Sequence, residues 1–288
     1  MSDLAVLREH LIGIGPAVLG YSGGVDSAVL AVAGREALGS GRFLAVIGRS
    51  ASYPEAQHQD AVATARRFDI PLLEIDTHEL ENPSYLANPV NRCYFCKTEL
   101  WEQLHRVARE RGIATILDGT NADDLGEHRP GLKAAAEQAV RSPLAELGWN
   151  KATVRSVAHD LGIPTWDAPA SPCLSSRIRY GLAVTPERLK QVEEGEALLR
   201  RLGVAGDLRV RHHGERARIE ANPDQFSVID GEWPAIQSAF TELGFTSVER
   251  DARGYRRGGL LDLPVLESAD RQTALPPATG RESCGVRP

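Results

Sequence analysis

The chain has 288 residues and a formal net charge of −6, from 33 Lys and Arg against 39 Asp and Glu. Its length suits one large domain or two unequal ones, and the acidic balance argues against nucleic acid as a partner. No apolar run is long enough to cross a membrane. Residues 1–10 contain acids and no apolar signal core, so we expect a cytoplasmic protein.

Strand and helix signals alternate through the first 120 residues. The predicted strands are 17–20, 43–47, 72–75 and 115–117, and the predicted helices between them are 26–38, 54–68 and 97–111. Such alternation indicates βαβ units, and therefore an α/β fold with a doubly wound parallel sheet covered by helices on both faces. Ligands of these sheets bind beyond the carboxyl ends of the strands.

The pattern changes in the second part of the chain. After a loop and helix over 143–163, with Asn150 as a candidate cap, the predicted elements are a helix over 186–202, strands over 208–212 and 216–220, a helix over 233–243 and a strand over 247–250. We interpret 1–180 as the α/β domain and 181–263 as a smaller α+β domain. Residues 264–288 lose all periodicity, which predicts a disordered tail.

The most informative motif follows the first predicted strand. It contains Ser22, Gly23, Gly24, Asp26 and Ser27, and it leads directly into a helical pattern. Backbone N–H groups and the helix dipole make such a strand–glycine–helix turn a site for phosphate. There is no Walker A lysine, and an acid inside the loop suits Mg²⁺ shared with the phosphates. The alternative is an ordinary turn in which Ser27 or Asp26 caps the helix.

A second polar run follows the predicted strand 115–117. It includes Asn121, Asp123 and Asp124. Because the carboxyl ends of parallel strands meet at one edge of the sheet, we expect these residues to share a site with the 22–27 loop. The alternative is that the Asn-Ala-Asp-Asp run only forms a turn and a helix cap.

Three of the four cysteines have a spacing that suits sulfur or metal chemistry. Cys93 and Cys96 form a Cys-x-x-Cys pair, and Cys173 stands alone in a loop rich in Pro and Ser. Arg92 and Lys97 flank the pair and favour thiolates. Structural zinc normally takes four ligands, whereas three cysteines suit a [4Fe–4S] cluster with one open iron. The alternatives are a redox pair and three buried structural cysteines; the fourth cysteine, in the tail, receives no role.

The predicted hairpin of the second domain is rich in arginine. Arg209 and Arg211 lie two residues apart on one strand, so they share a face and can form a phosphate fork. Glu196 lies on the preceding helix, and Glu220 lies at the end of the second strand. The alternative is a solvated, charged hairpin with no ligand.

These motifs together resemble a known family. Ser-Gly-Gly-Val-Asp-Ser after a strand resembles the PP-loop of the ATP pyrophosphatases, which cleave ATP between the α- and β-phosphates to adenylate a substrate oxygen. With the stretches 117–124, 129–131 and 169–178, the chain from roughly residue 15 to residue 255 is similar to the LarE family, the sulfur transferases that build the nickel-pincer cofactor of lactate racemase.

The resemblance implies a particular reaction and its ligands. ATP and Mg²⁺ would bind at residues 22–27, with Asn121 and Asp123 or Asp124 completing the nucleotide pocket. The implied substrate is pyridinium-3,5-biscarboxylic acid mononucleotide, whose carboxylates become thiocarboxylates, and the sulfur comes from sulfide or another donor. Ser176, Arg177 and the charged residues of the hairpin are implied to bind the substrate phosphate. The family also implies a homo-oligomer, in the form of a hexamer.

LarE-like proteins exist in two versions. In one, a single cysteine gives up its own sulfur and becomes dehydroalanine; in the other, three cysteines hold a cluster and the sulfur is replenished. Cys93, Cys96 and Cys173 resemble the second version, which we favour over sacrificial donation by Cys173. Three other classes of protein remain open. A PP-loop amidotransferase would need no cysteine trio, and a tRNA thiolase would need a basic face or an RNA-binding domain. A nucleotide-binding module would release no pyrophosphate.

Overall fold

The computed structural model describes residues 2–126, 130–169, 171–256, 258–259 and 265. Almost all of the predicted tail, including Cys284, lies outside these residues, as do Arg129 and Ala170 of the resemblance motifs. None of the described helices combines the length and the apolar character needed to span a membrane.

Within the described part of the chain, the first half forms a four-stranded parallel sheet. Its strands are β1 (Ala17–Gly20), β2 (Phe43–Arg49), β3 (Leu72–Asp76) and β4 (Thr115–Leu117). The order is β3-β2-β1-β4, with β1 parallel to both β2 and β4. The chain therefore moves outward from β1 to β3 and then returns to the other side of β1, and the carboxyl ends of β1 and β4 flank the crevice where such sheets bind ligands.

Helices cover both faces of this sheet. They are α1 (Asp3–Ile14), α2 (Val25–Leu38), α3 (Glu55–Arg67), α4 (Pro83–Leu86), α5 (Arg92–Glu110), α6 (Pro130–Glu137), α7 (Pro143–Glu146) and α8 (Lys151–Asp160). Leu19 packs with the core that includes residues of α1, α2 and α8, and its neighbour Val18 packs with the core that includes residues of α5. Because alternate residues of β1 enter opposite cores, the doubly wound α/β prediction is confirmed.

The structure corrects one boundary that matters for function. The helix predicted over 97–111 begins five residues earlier, at Arg92. The Arg92 side chain is buried and donates a hydrogen bond to Asn88 Oδ1, one turn back, which holds the first turn of α5 in place. Cys93 and Cys96 therefore lie on a helix and not in the loop that precedes it. In addition, α1 and α6 have no counterpart among the predicted helices.

In the described residues after 180, a second sheet contains three strands, in the order β5-β6-β7. The elements are α9 (Pro186–Arg201), β5 (Leu208–His212), β6 (Arg216–Ala221), α10 (Phe226–Gly231), α11 (Trp233–Glu242) and β7 (Ser247–Arg250). The strands β5 and β6 are antiparallel, and β7 is parallel to β6. An apolar core formed by residues such as Val210, Ile219 and Phe240 lies between the sheet and its helices.

Candidate functional site

The glycine loop after β1 is tightly held and can exist only with glycine at its centre. Gly23 has a φ of 72°, and a Cβ there would lie 2.5 Å from Ala61 Cβ. Ser27 Oγ donates to Gly24 O at 2.9 Å and lies 3.2 Å from Ser22 Oγ. The N-cap of α2 is Gly24, and no described side chain caps this helix. The helix-cap alternative is therefore wrong, and the first N–H groups of α2 are free for an anion.

Asp26 connects this loop to two other parts of the chain. Its Oδ1 accepts a hydrogen bond from Asn121 Nδ2 at 3.1 Å, and its Oδ2 lies 2.5 Å from Lys151 Nζ. The structure thus brings the polar runs after β1 and β4 together, as the strand-end argument predicts. Lys151, the first residue of α8, was missed by sequence reasoning, because its position after the capping residue Asn150 indicates only the start of a helix.

Asp123 and Asp124 both accept hydrogen bonds from backbone N–H groups, one at the start of α8 and one in their own loop. Asp123 Oδ2 accepts a hydrogen bond from the Lys151 backbone N–H at 2.9 Å, and Asp124 Oδ2 accepts one from the Asn121 backbone N–H at 3.1 Å. These are the contacts expected from the turn-and-cap alternative. Gly119 shows how close the β4 loop comes to α2, since a Cβ at Gly119 would lie 2.9 Å from the Ser27 nitrogen.

A cavity of about 560 Å³ opens beside the glycine loop, at the carboxyl end of β2. Its lining includes Arg49, Tyr53, His58 and Asp76 from the first half of the chain and Lys190 from α9. This volume lies within the range of small-molecule sites. Because Tyr53 Oη also donates to Ser22 O at 3.0 Å, the cavity and the glycine loop share a wall.

The three predicted cysteines are free thiols that lie close enough to influence one another electrostatically. Cys93 is exposed, and Cys96 and Cys173 are half-buried, so the alternative of three buried structural cysteines is wrong. Although Cys93 reaches solvent, desolvation by the surrounding protein raises the pKa of its thiol, Cys173 raises it further, and Arg92 and Lys97 lower it. The flanking cations therefore act as predicted, but burial outweighs them.

Burial also raises the pKa of the Cys96 thiol, and the nearby Glu79 carboxylate and Cys173 add to the effect. Glu79 is 3% exposed; its Oε1 accepts a hydrogen bond from Ser52 Oγ at 3.2 Å, and its Oε2 has no partner in the described part of the chain. Sequence reasoning missed this buried carboxylate, because nothing in its local pattern distinguishes it from a surface acid.

The three thiols match a three-cysteine cluster site in number and in chemistry. Cys173 influences the pKa of both Cys93 and Cys96, so the donor set is local. Within the described residues, no group of three or more His, Cys, Asp or Glu side chains is arranged to hold a metal ion.

The loop after Cys173 is fastened by buried arginines. Arg177 is 2% exposed, donates to the Cys173 carbonyl at 3.0 Å and to Ser176 Oγ at 3.2 Å, and pairs with Glu196 at 2.9 Å. Arg211 donates to the Ser176 carbonyl at 2.9 Å. These contacts connect the backbone of the Cys173 loop to α9 and β5.

The predicted hairpin of arginines is buried and not solvated. Arg209, Arg211 and Glu220 are each at most 5% exposed. Arg211 pairs with Glu220 at 2.8 Å, and Arg209 lies 5.0 Å from the centroid of the Tyr255 ring. The solvated-hairpin alternative is therefore wrong, because both faces of β5 are covered. The six predicted substrate residues lie in one region: Ser176, Arg177, Glu196, Arg209, Arg211 and Glu220.

Comparison with known proteins agrees with this geometry. A model of the NAD synthase family matches residues 7–92, which contain the glycine loop and end at Arg92, the first residue of α5. The chain is 42% identical over 90% of its length to an uncharacterised protein of Synechocystis sp., of which it covers 97%. It is 30% identical over 83% of its length to an uncharacterised protein of Methanocaldococcus jannaschii, of which it covers 90%. These matches define a PP-loop nucleotide-binding protein.

A third relative gives the family. The chain is 31% identical over 91% of its length to the pyridinium-3,5-bisthiocarboxylic acid mononucleotide synthase of Lactiplantibacillus plantarum, of which it covers 96%. The protein belongs to the LarE family, and the resemblance found in its motifs is confirmed. Family membership and the PP-loop domain make it an enzyme of ATP-dependent sulfur transfer.

Proposed function

We propose that this enzyme adenylates the carboxylates of pyridinium-3,5-biscarboxylic acid mononucleotide and converts them to thiocarboxylates for a nickel-pincer cofactor. The observation that carries the proposal is the position of two adjacent residues. Tyr53 Oη donates to Ser22 O in the glycine loop, and the Ser52 carbonyl accepts a hydrogen bond from Leu174 N, next to Cys173, at 2.8 Å. The nucleotide loop and the sulfur loop are therefore neighbours.

The first half of the reaction takes place at the start of α2. The N–H groups of this helix bind the ATP phosphates, and Asp26 would hold Mg²⁺, which would supply positive charge to those phosphates. An oxygen of the substrate carboxylate attacks the α-phosphorus, the bond to the β-phosphate oxygen breaks, and pyrophosphate leaves. Lys151, which pairs with Asp26, stabilises charge on the departing phosphates. Asn121 keeps the Asp26 carboxylate oriented.

The second half of the reaction transfers sulfur. Hydrosulfide attacks the acyl carbon of the adenylate, the carbon–oxygen bond to AMP breaks, and AMP leaves with the bonding electron pair. We assign the phosphate of the substrate mononucleotide to Arg209 and Arg211, which lie on the paired strand β5; Arg211 is also held by Glu220. The loop that carries Cys173 is held in place by Glu196, Arg177 and Ser176, to which we assign no direct contact with this phosphate.

We further propose that Cys93, Cys96 and Cys173 hold a [4Fe–4S] cluster. When bound, such a cluster supplies an iron with one open coordination position for a sulfur ligand. The support from this chain is the local set of three free thiols, one of them exposed. The second candidate is sacrificial donation by Cys173, and the observation that favours it is the absence of a metal-ligating arrangement among the described residues.

The test combines metal content with stoichiometry. The protein is purified and reconstituted without oxygen, and iron, acid-labile sulfide and thiocarboxylate product per chain are measured with added sulfide. The variants are Cys93→Ala and Cys173→Ala, and Cys284→Ala in the tail is the matched control. The cluster is supported if the wild-type protein contains about four irons per chain and makes several products per chain. The iron should be lost in both site variants and retained in the control.

The opposite result has a distinct signature. Sacrificial transfer by Cys173 would be the conclusion if each chain makes at most one product and no preparation contains iron. Intact-protein mass would then show that Cys173 has been converted to dehydroalanine. The ATP half is tested separately: pyrophosphate release that does not depend on the pyridinium substrate would contradict the adenylation step.

A further inference from the structure

The turn between β2 and α3, which we call the β2–α3 turn, consists of residues 50–54 and contacts both halves of the site. Its Ser52 carbonyl accepts a hydrogen bond from Leu174 N at 2.8 Å, in the loop after the third cysteine. Its Tyr53 hydroxyl donates to Ser22 O in the glycine loop at 3.0 Å. Because the two bonded residues are adjacent, a displacement of this turn moves both contacts together.

The end of the turn is fastened by a side chain from α9. The N-cap residue of α3 is Pro54, whose side chain has no hydrogen-bond acceptor, so the first N–H groups of α3 need partners from other elements. Glu193 supplies one, since its Oε1 accepts a hydrogen bond from the Glu55 backbone N–H at 2.7 Å. Glu193 is thus a cap provided by a different helix, and its negative charge suits the positive end of the α3 dipole.

The helix α3 also supports the glycine loop. Gln57 Nε2 donates to Ser22 O at 2.7 Å, and Tyr21 Oη donates to Ala61 O at 3.1 Å. A Cβ on Gly23 would lie 2.5 Å from Ala61 Cβ, so the loop lies directly against α3. A shift at the start of α3 is therefore transmitted to the loop that we assign to the ATP phosphates.

The helix α9 extends this connection to the Cys173 loop. Glu196, three residues after Glu193, pairs with Arg177 at 2.9 Å. Arg177 in turn donates to the Cys173 carbonyl at 3.0 Å. Lys190, three residues before Glu193, lines the cavity beside the glycine loop, as Glu193 does. Residues three apart are neighbours on a helix surface, so one stripe of α9 contacts the cavity, the start of α3 and the Cys173 loop.

We propose that Glu193 is a positioning residue of the sulfur-transfer reaction. By capping α3, it holds the β2–α3 turn at the spacing that lets an adenylate formed at the glycine loop meet sulfur at the Cys173 loop. This inference rests on the proposed function. Without the cap the adenylate still forms, but its acyl carbon lies away from the sulfur donor. Water then attacks that carbon, the carbon–oxygen bond to AMP breaks, AMP leaves with the bonding electron pair, and the carboxylate and a proton are released.

The experiment measures how much thiocarboxylate is made for each pyrophosphate released. The full-length protein is reconstituted without oxygen and supplied with ATP, the pyridinium substrate and sulfide, and both products are quantified in the same reaction. Their ratio does not depend on the fraction of active protein or on the number of turnovers per chain. A variant that is only partly folded therefore keeps the wild-type ratio, whereas a variant with misplaced sulfur does not.

Four variants break or preserve the same hydrogen bond. Glu193→Ala removes the acceptor, and Glu55→Pro removes the donor at the first helical position, where proline is tolerated. Glu193→Gln retains an accepting oxygen, and Glu55→Ala retains the N–H. In the first two variants we expect the ratio of thiocarboxylate to pyrophosphate to fall about fivefold, the population change that corresponds to the loss of a helix cap. The other two variants should keep the wild-type ratio.

Hydrogen exchange tests the connection without any reaction. In the protein without nucleotide or substrate, the Leu174 amide reports the hydrogen bond to the Ser52 carbonyl, across the β2–α3 turn from Glu193. This amide should exchange about fivefold faster in Glu193→Ala and in Glu55→Pro than in the wild-type protein. It should exchange at the wild-type rate in Glu193→Gln and in Glu55→Ala.

An unchanged product ratio in folded Glu193→Ala overturns the proposal, even if the KM for ATP rises, because Glu193 would then belong to the cavity wall alone. An equal fall in Glu193→Gln, or an unchanged Leu174 exchange rate in both variants that break the bond, also overturns it. If Glu193→Ala does not fold, Glu55→Pro and its control Glu55→Ala decide. A wild-type protein that makes no thiocarboxylate contradicts the proposed function, whereas hydrogen exchange still shows whether Glu193 fastens the turn.

Discussion

The two halves of the candidate site are built on different principles. The nucleotide edge is formed by short loops that follow β1 and β4, and the Lys151 side chain, which pairs there with Asp26, is 38% exposed. The sulfur region is assembled from buried charges: Arg92, Arg177 and Arg211 all donate hydrogen bonds to backbone carbonyls between Cys173 and Ser176. The ion pair at the nucleotide edge is accessible to solvent, whereas the ion pairs of the sulfur region are buried.

The difference has a physical origin. In the proposed reaction ATP carries negative charge and is bound together with Mg²⁺, so the protein need only present N–H groups and one carboxylate. A loop rich in Pro and Ser has few backbone hydrogen bonds of its own, so the Cys173 loop obtains its geometry from guanidiniums on neighbouring elements. We therefore expect substitutions in the sulfur region to affect stability and substitutions at the nucleotide edge to affect the reaction.

The largest effect is expected from Arg177→Met. This change leaves Glu196 without its buried partner and removes the donor to the Cys173 carbonyl. Losing one partner of a buried pair costs about 3–5 kcal/mol, measurable as the free energy of unfolding in urea. The matched control is Arg216→Met, which removes an exposed pair with Glu249 and should cost less than about 1 kcal/mol. Equal losses of unfolding free energy in the two variants would contradict the difference between a buried and an exposed ion pair on which this comparison depends.

At the nucleotide edge, Asp26→Asn should leave the urea midpoint almost unchanged and lower the rate of pyrophosphate release about 100-fold, which corresponds to about 2.7 kcal/mol of transition-state stabilisation. The reason is the loss of the carboxylate that faces Asn121 and Lys151 and that we assign to Mg²⁺. Asp60→Asn on the exposed side of α3 is the control. Unchanged pyrophosphate release in Asp26→Asn would remove this residue from the magnesium site.

A pH effect is expected at the end of β5. Burial lowers the pKa of His212 to about 3 and, together with Arg218 and other arginines, that of His213 to about 4. Between pH 6.5 and about pH 4 the unfolded chain binds more protons at these residues than the folded one, so stability falls as the pH falls, by up to about 1.4 kcal/mol per pH unit per histidine.

Urea unfolding at several pH values tests this sign. His213→Gln should flatten the dependence above pH 4, and His159→Gln, at an exposed position with a side chain 63% accessible, should not. The carboxylates whose pKa values are lowered, Glu146 and Asp251, lose their contribution only at lower pH. A stability that rises on acidification from pH 6.5 would contradict the burial of the two histidines.

The smallest effect is expected from Lys151→Met. Lys151 is half-exposed and bonds Asp26 through one contact, so its removal should cost little stability and slow pyrophosphate release about tenfold, or about 1.4 kcal/mol. Lys133→Met, with a side chain 73% accessible, is the control. A faster reaction in Lys151→Met would mean that the lysine competes with Mg²⁺ for Asp26 and does not stabilise the departing phosphates.

Sequence reasoning succeeded where the signal is local. The four strands of the first sheet, the glycine loop and the cap at Asn150 were predictable because apolar runs, a Gly-Gly turn and an Asn before a helix each depend on a few consecutive residues. The start of α5 was not, because the turn that carries Cys93 is held by the buried side chain of Arg92 and a partner loop far along the chain.

The sequence by itself determined the parallel sheet, the nucleotide loop at its edge and the set of three cysteines, since periodicity and motif spacing act over short distances. Only the tertiary structure decided the partners: Lys151 reaches Asp26 across 125 residues, Glu79 is buried near Cys96, and Arg211 of β5 is interior and paired with Glu220. The physical reason is that burial and charge compensation depend on every element packed around a side chain, and no local pattern in the chain records them.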